Sequence, residues 1–153
     1  EISACLVGSE MCIRDRSMMN EGYRNSSIYG MLGYFKLLRN DDLDETTKLC
    51  EEAYDYNSDD RDIKDNLSIC YFRKGEYEKA EKISDELVGS TPNFVEGFYH
   101  GIQIAMKLNK YDKAAEYAEK LKECKRSGMT TVTEEEVNKL IQEVKNHNEN
   151  TIG

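Results

Sequence analysis

The feature that most constrains the fold of this chain is a pattern that returns at an interval of 34 residues. The segment at 75–80, Gly-Glu-Tyr-Glu-Lys-Ala, returns at 109–114 as Asn-Lys-Tyr-Asp-Lys-Ala, and Leu87 returns as Leu121. A less similar copy, Asp-Asp-Leu-Asp-Glu-Thr, lies in phase at 41–46. Because about three units suffice for a stack of repeats to bury its apolar faces, the interval predicts a repeat fold.

The spacing of apolar residues within each unit predicts two α-helices. In the central unit, Leu67 and Tyr71 belong to the apolar side of the first helix, and Tyr77, Ala80 and Leu87 to that of the second. These intervals follow the helical period and not the strand period. Each unit is therefore predicted to be a helical hairpin.

Turn residues and small residues support the same interpretation. The predicted turns carry residue types that tolerate a left-handed backbone, namely Asp41, Gly75 and Asn109. Small residues stand where the second helix of each unit would cross the first, at Thr46, Ala80 and Ala114. Pro92 is predicted to end the central hairpin.

These residues resemble the tetratricopeptide repeat family, whose pattern combines Leu, a small residue and an aromatic with a later Ala, an apolar residue and Pro. The central unit carries that pattern at Leu67, Ser68, Tyr71, Ala80, Leu87 and Pro92. Further packing positions of the repeat are Tyr77, Tyr111, Ala114 and Leu121. The resemblance implies an all-α fold, an α-α superhelix (solenoid) of about three helical hairpins, and we expect a bacterial source.

Counted along the chain, the repeats span 27–60, 61–94 and 95–128. In the outer copies Gly33 and Gly101 come one residue earlier than the glycine of the family, so we expect their first helices to be shifted by a residue.

A capping helix is predicted at 133–148. Thr133 stands three residues before Glu136, which is the spacing of a capping box. Apolar residues then recur at helical intervals, at Val137, Leu140, Ile141 and Val144. Such a helix would cover the last apolar face of the stack, and the tail at 149–153 is expected to fray.

The first residues differ from the rest of the chain. Residues 1–16, EISACLVGSEMCIRDR, show no helix or strand period and are similar to the translation of a transposase-type sequencing-library adapter. We interpret them as non-native, followed by an irregular lead-in at 17–26. On this interpretation the natural protein begins further upstream, and the chain is a C-terminal fragment.

Composition argues against several classes of function. A net charge of −9 opposes binding to the phosphates of nucleic acids. His100 and His147 are the only histidines, and the five cysteines form no CxxC pair, so we predict no catalytic site, no metal site and no cofactor. Cys50, at the repeat position of Ser84 and Ala118, is predicted to be a buried packing thiol. With no apolar run or leader, we expect a cytoplasmic protein without a membrane span.

The resemblance implies that ligands bind in a groove lined by the first helices of the hairpins. The predicted peptide-binding residues are Phe35, Asn66, Ile69, Arg73, Tyr99, Gln103 and Lys107, beside Met31, Leu38, Asp65 and His100. Aromatic rings would anchor the peptide, and Asn66 or Gln103 would bond to its backbone. The alternative is that about half of these residues pack between hairpins.

Family members that clamp the C-terminal carboxylates of chaperones carry Lys, Asn and Arg at set groove positions. The corresponding residues here are Met31, Phe35, Asn66, Glu96 and His100, of which only Asn66 matches, so no such clamp is expected. The predicted function is a non-enzymatic protein- or peptide-binding scaffold. The alternative is a C-terminal sensory or regulatory arm of a longer protein, for example a peptide-responsive transcription regulator or an enzyme.

Overall fold

The computed structural model describes residues 25–152, which form seven α-helices and no strand. We number them α1 (Ser26–Leu38), α2 (Leu43–Tyr56), α3 (Arg61–Lys74), α4 (Tyr77–Ser90), α5 (Val95–Lys107), α6 (Tyr111–Glu123) and α7 (Glu134–Ile152). The predicted all-α fold is confirmed. The segment interpreted as adapter, 1–16, lies outside the described residues, as does most of the lead-in.

The chain divides within α3 into two compact units, one ending at Cys70 and one beginning at Tyr71. We call the described parts the N-terminal unit (25–70) and the C-terminal unit (71–152).

A residue with positive φ follows each of α1, α3 and α5. These are Asn40 (φ 52°), Gly75 (φ 78°) and Asn109 (φ 57°). The left-handed turns predicted at Gly75 and Asn109 are therefore confirmed. The one predicted at Asp41 is wrong by one residue.

The end of α1 explains this shift. Because α1 ends at Leu38, the left-handed position falls on Asn40. Asp41 serves instead as an ion-pair partner, with its carboxylate oxygens 3.5 Å from Lys36 Nζ and 3.3 Å from Arg39 Nε.

In the N-terminal unit α1 packs against α2 around a small core of Tyr29, Ala53 and Ile63. Side-chain caps start α1 and α2: Ser27 N donates to Asn25 Oδ1 at 2.8 Å, and Glu45 N donates to Asp42 Oδ1 at 2.9 Å. Each cap satisfies an amide that has no partner in the first turn of its helix.

Gly33 lies where α1 comes close to both α2 and α3. A Cβ atom at this position would stand 3.1 Å from Cys50 Sγ and 3.1 Å from Asn66 Nδ2. A larger residue would therefore push these helices apart.

In the C-terminal unit α5 contacts α4, α6 and α7. Ile102 and Phe98 are fully buried, and the Phe98 ring meets the Tyr117 ring edge-on with centroids 5.7 Å apart. Gly101 allows this approach, since a Cβ there would lie 3.0 Å from Ser84 Oγ and 3.1 Å from the Tyr117 ring.

An ion-pair network joins α4 to α6. Glu81 accepts hydrogen bonds from Lys110 Nζ at 2.6 Å and from Lys113 Nζ at 2.8 Å. Asp85 accepts from Lys113 Nζ at 2.6 Å and from the Tyr117 hydroxyl at 2.8 Å. These contacts connect the second helix of the central repeat to the second helix of the repeat that follows it.

The capping box predicted at the start of α7 is confirmed. Thr133 N donates to Glu136 Oε2 at 2.7 Å, and Glu136 N donates to Thr133 Oγ1 at 3.2 Å. The predicted apolar residues of this helix are buried in the core of the unit, and they are Val137, Leu140, Ile141 and Val144.

The predicted end of the capping helix, 148, differs from the structure. α7 continues to Ile152, so the tail expected to fray at 149–153 is helical through 152. No Gly or Pro interrupts 134–152, and nothing in the sequence stops the backbone hydrogen bonding earlier.

The predicted packing positions fall into three groups. Buried are Thr46, Leu67, Ala80, Leu87, Ala114 and Leu121. Half-buried are Tyr71, Tyr77 and Tyr111. Pro92 is exposed, in the turn after α4, where it prevents that helix from continuing.

Candidate peptide-binding face

The predicted peptide-binding residues lie on the first helices of the three hairpins. Phe35 is on α1, while Asn66, Ile69 and Arg73 are on α3, and Tyr99, Gln103 and Lys107 are on α5. Phe35, Asn66 and Ile69 belong to the N-terminal unit, and the other four belong to the C-terminal unit.

On α1 the face is an exposed apolar stripe. Ile28, Met31, Phe35 and Leu38 follow one another at intervals of three, four and three residues, which places them on one side of the helix. Met31 is 44% exposed and Leu38 is 58% exposed, while Ile28 and Phe35 are half-buried. Tyr34 borders the stripe, 37% exposed, with its ring centroid 5.8 Å from that of Phe35. We call these five residues the α1 stripe.

Sequence reasoning singled out Met31, Phe35 and Leu38 but missed Ile28 and Tyr34. The signal for Ile28 was the spacing itself, which continues one step toward the start of the helix. The exposure of Tyr34 follows from how α1 packs, and nothing in the sequence marked it.

Asn66 has a different position from the one predicted. It is buried, and its Nδ2 donates a hydrogen bond to the carbonyl oxygen of Gly30 at 2.9 Å. This bond ties α3 to α1 inside the N-terminal unit. Because the residue is also only 4% exposed, the structure favours packing over ligand binding at Asn66.

The other two α3 residues belong to different units. Ile69 is half-buried in the N-terminal unit, and Arg73 is exposed in the C-terminal unit, in the last turn of α3. Neither position prevents contact with a ligand.

On α5 the predicted residues share one side of the helix, since they stand four residues apart. Tyr99 and Gln103 are half-buried, and Lys107 is exposed. Burial raises the pKa of Tyr99 above its ordinary value, and the carboxylates of Glu136 and Glu143 on α7 add to this effect. Part of α7 therefore lies beside this portion of the face and makes its potential more negative.

Glu96, at the start of α5, serves the structure of the unit. Its carboxylate is buried and accepts from Thr131 N at 2.7 Å and from Thr131 Oγ1 at 3.2 Å. These bonds fasten the segment between α6 and α7. Glu96 thus occupies a position where a carboxylate clamp would carry a cation.

Metal-binding groups and membrane-spanning helices were also sought among the described residues. Within 25–152, no group of three or more His, Cys, Asp or Glu side chains is arranged to hold a metal ion. The His147 ring stacks on the Tyr111 ring with centroids 4.6 Å apart. None of the helices in this range is long and apolar enough to cross a membrane.

Part of the chain is similar to a known repeat family. Residues 37–96 match the sequence model of the tetratricopeptide repeat. A comparison with curated protein sequences gives no match.

Several solved structures are similar to the chain. The Sgt2 TPR domain from Aspergillus fumigatus gives a TM-score of 0.70 at 17% identity, over 82% of this chain and 80% of that one. The first TPR of Spaghetti (RPAP3), bound to the HSP90 peptide SRMEEVD, gives 0.67 at 14% identity, over 80% and 91%. YrrB, a TPR protein with an unusual peptide-binding site, gives 0.69 at 16% identity, over 92% and 66%. At these identities the likeness shows the fold, a tetratricopeptide-type α-α solenoid with a C-terminal capping helix.

Proposed function

We propose that this chain, a member of the tetratricopeptide repeat family, is a non-enzymatic scaffold that binds a segment of another protein along the first helices of its hairpins. Solved structures with the same fold include one bound to a peptide and one described by its peptide-binding site. The chain's own support comes from its surface.

The α1 stripe is the observation that carries the proposal. Single apolar residues on a surface need no explanation, but a contiguous apolar row on one side of a helix does. Three members of the stripe, Met31, Tyr34 and Leu38, are more than a third exposed. Their burial by a ligand would remove apolar area from water and favour binding.

The chemistry of the stripe indicates an apolar ligand. Tyr34 and Phe35 are aromatic residues of the kind that anchors an interface, and Met31 has a flexible side chain that adapts to different surfaces. Lys36 and Arg39, the basic residues of this region, both pair with Asp41. The preferred ligand is therefore an amphipathic helix or extended segment that presents aliphatic or aromatic side chains to α1.

Two residues outside the α1 stripe argue against an acidic chaperone tail as the ligand. Asn66 is bonded to Gly30, and Glu96 supplies negative charge at another clamp position. We expect no saturable binding of a fluorescent SRMEEVD peptide in an anisotropy titration. Micromolar binding that disappears when the peptide's C-terminal carboxylate is amidated would contradict this expectation.

The proposal is tested with ligands selected by peptide display against the folded chain. We expect Met31→Gln to weaken the selected peptides roughly tenfold, because a polar amide replaces an apolar contact at the interface. The matched control is Met129→Gln, the same substitution at a residue that is 85% exposed between α6 and α7. Isothermal titration calorimetry measures both affinities, and equal loss in the two variants, or loss in neither, would exclude the α1 stripe as the binding face.

A further inference from the structure

Two thiols touch inside the N-terminal unit. Cys70 on α3 donates a hydrogen bond to Cys50 Sγ on α2, with the sulfur atoms 3.7 Å apart. Both residues are fully buried, and both are free thiols. Their repeat positions predict packing roles, but the pattern of a single repeat does not show that the two side chains meet.

Helix α1 and the charge of Lys36 lie close to Cys50. Gly33 passes beside Cys50, so close that a Cβ there would stand 3.1 Å from the sulfur. The hydrogen-bonded contact with Cys70, and then burial, raise the pKa of Cys50 above its ordinary value. The charge of Lys36 acts in the opposite direction and favours the Cys50 thiolate. At neutral pH Cys50 is therefore a protonated thiol with a cation close by.

We propose that Cys50 and Cys70 form a redox-modification site, which a two-electron thiol oxidant such as a peroxide converts into a disulfide linking α2 to α3. This modification is independent of the proposed peptide binding. It would turn the hydrogen-bonded contact between α2 and α3 into a covalent bond.

The chemistry balances in two steps. The Cys50 sulfur loses its proton and attacks one oxygen of hydrogen peroxide, so the O–O bond breaks, Cys50 becomes a sulfenic acid and one water is released. The Cys70 sulfur then displaces the sulfenic hydroxyl, which leaves as the second water with the Cys70 proton, and the S–S bond forms. Two electrons pass from the sulfur pair to the peroxide.

Proximity favours this product over further oxidation. A disulfide needs the sulfurs at about 2.05 Å, so each side chain has to move by less than about 1 Å from the present contact. A resolving thiol held in contact acts at a high effective concentration. The first step is slow in the folded protein. Burial keeps the oxidant away from the thiols, and only the thiolate form reacts.

The experiment uses the full chain with Cys5, Cys12 and Cys124 replaced by Ser, so that only the pair remains. The folded protein is treated with hydrogen peroxide, the remaining thiols are blocked, and the digest with trypsin is analysed by mass spectrometry. We expect a disulfide between peptides 49–61 and 65–73, a mass loss of two hydrogens and helicity by circular dichroism equal to that of the reduced protein. Cys70→Ser in the same background is the control and should retain one thiol or acquire oxygen at Cys50.

The stability of the oxidised protein shows whether the disulfide is compatible with the native fold. Cross-linking residues in their native contact restricts the unfolded chain, so the oxidised protein should unfold at a higher urea concentration than the reduced one. A disulfide that forms only in denaturant would overturn the proposal. So would an oxidised protein with lower helicity or a lower urea midpoint. If the triple-Ser background does not fold, the same peptide pair is sought in the unmodified sequence.

Discussion

Gly101 and Gly89 show how differently one residue type is constrained within the C-terminal unit. A Cβ on Gly101 would lie 3.0 Å from Ser84 Oγ and 3.1 Å from the Tyr117 ring, closer than ordinary van der Waals contact, whereas a Cβ on Gly89 would meet nothing within 4 Å. Both glycines lie in helices. The difference is therefore one of packing.

This difference predicts opposite effects of the same substitution. Gly101→Ala should lower the free energy of unfolding by about 1–3 kcal/mol, because α5 has to move away from α4 and α6. Gly89→Ala should raise it by up to about 1 kcal/mol, because alanine loses less backbone entropy in a helix. Urea unfolding followed by circular dichroism measures both, and equal effects would show that α5 does not pack as described.

For single residues, the sequence predicted the type of residue at a position better than the partner that this residue contacts. Small residues at the helix crossings follow from the repeat, and Ala80 and Ala114 are indeed fully buried. Asn66 matched a ligand-binding position of the family, yet its amide bonds to Gly30, thirty-six residues away. That bond depends on the packing of α3 against α1, which a repeat pattern does not encode.

Between helices, an ion-pair network joins α4 to α6 in the C-terminal unit. Burial raises the pKa of Glu81, but hydrogen bonds from Lys110 and Lys113 outweigh it and hold the pKa below the ordinary value of 4.5. For Lys113, the bonds to Asp85 and Glu81 likewise outweigh burial and raise the pKa. The network thus favours the charged forms of Glu81 and Lys113.

Glu81→Gln should therefore destabilise the chain in a pH-dependent way. The contribution of a carboxylate with a lowered pKa is present above its unfolded-state pKa and is lost as pH falls through the lower folded-state value. We expect a loss of roughly 0.5–1 kcal/mol near neutral pH, shrinking as the solution is acidified below about pH 4 and in high salt. Urea midpoints of the two proteins across pH test this, and a gap that is constant from neutral to acid would refute the role of the ion pairs.

Helix boundaries were predictable where a chemical stop signal exists. α4 ends before Pro92, and α7 begins at its capping box, because those residues act locally on the backbone. The end of α7 was predicted too early, since polar residues alone do not stop a helix. The turn after α1 moved to Asn40, because Asn and Asp both tolerate the left-handed conformation and the sequence did not choose between them.

For the whole molecule, the interval of 34 residues was sufficient to predict the fold, because it repeats an entire helical hairpin. It was not sufficient to predict the ligand. The repeated pattern consists of packing residues, so it does not specify the side chains on the surface. The exposure of the α1 stripe depends on which residues of α1 the other helices cover.

The central claim, that a ligand lies along the first helices, is tested most directly by NMR titration of the ¹⁵N-labelled chain with a peptide selected by display. We expect the largest amide shift changes on α1 around Met31 and Leu38 and on α5 around Tyr99 and Gln103. The exposed sides of α2 and α4, at Lys48 and Lys82, should change little. Shift changes concentrated around Lys48 and Lys82, with α1 and α5 unaffected, would contradict it.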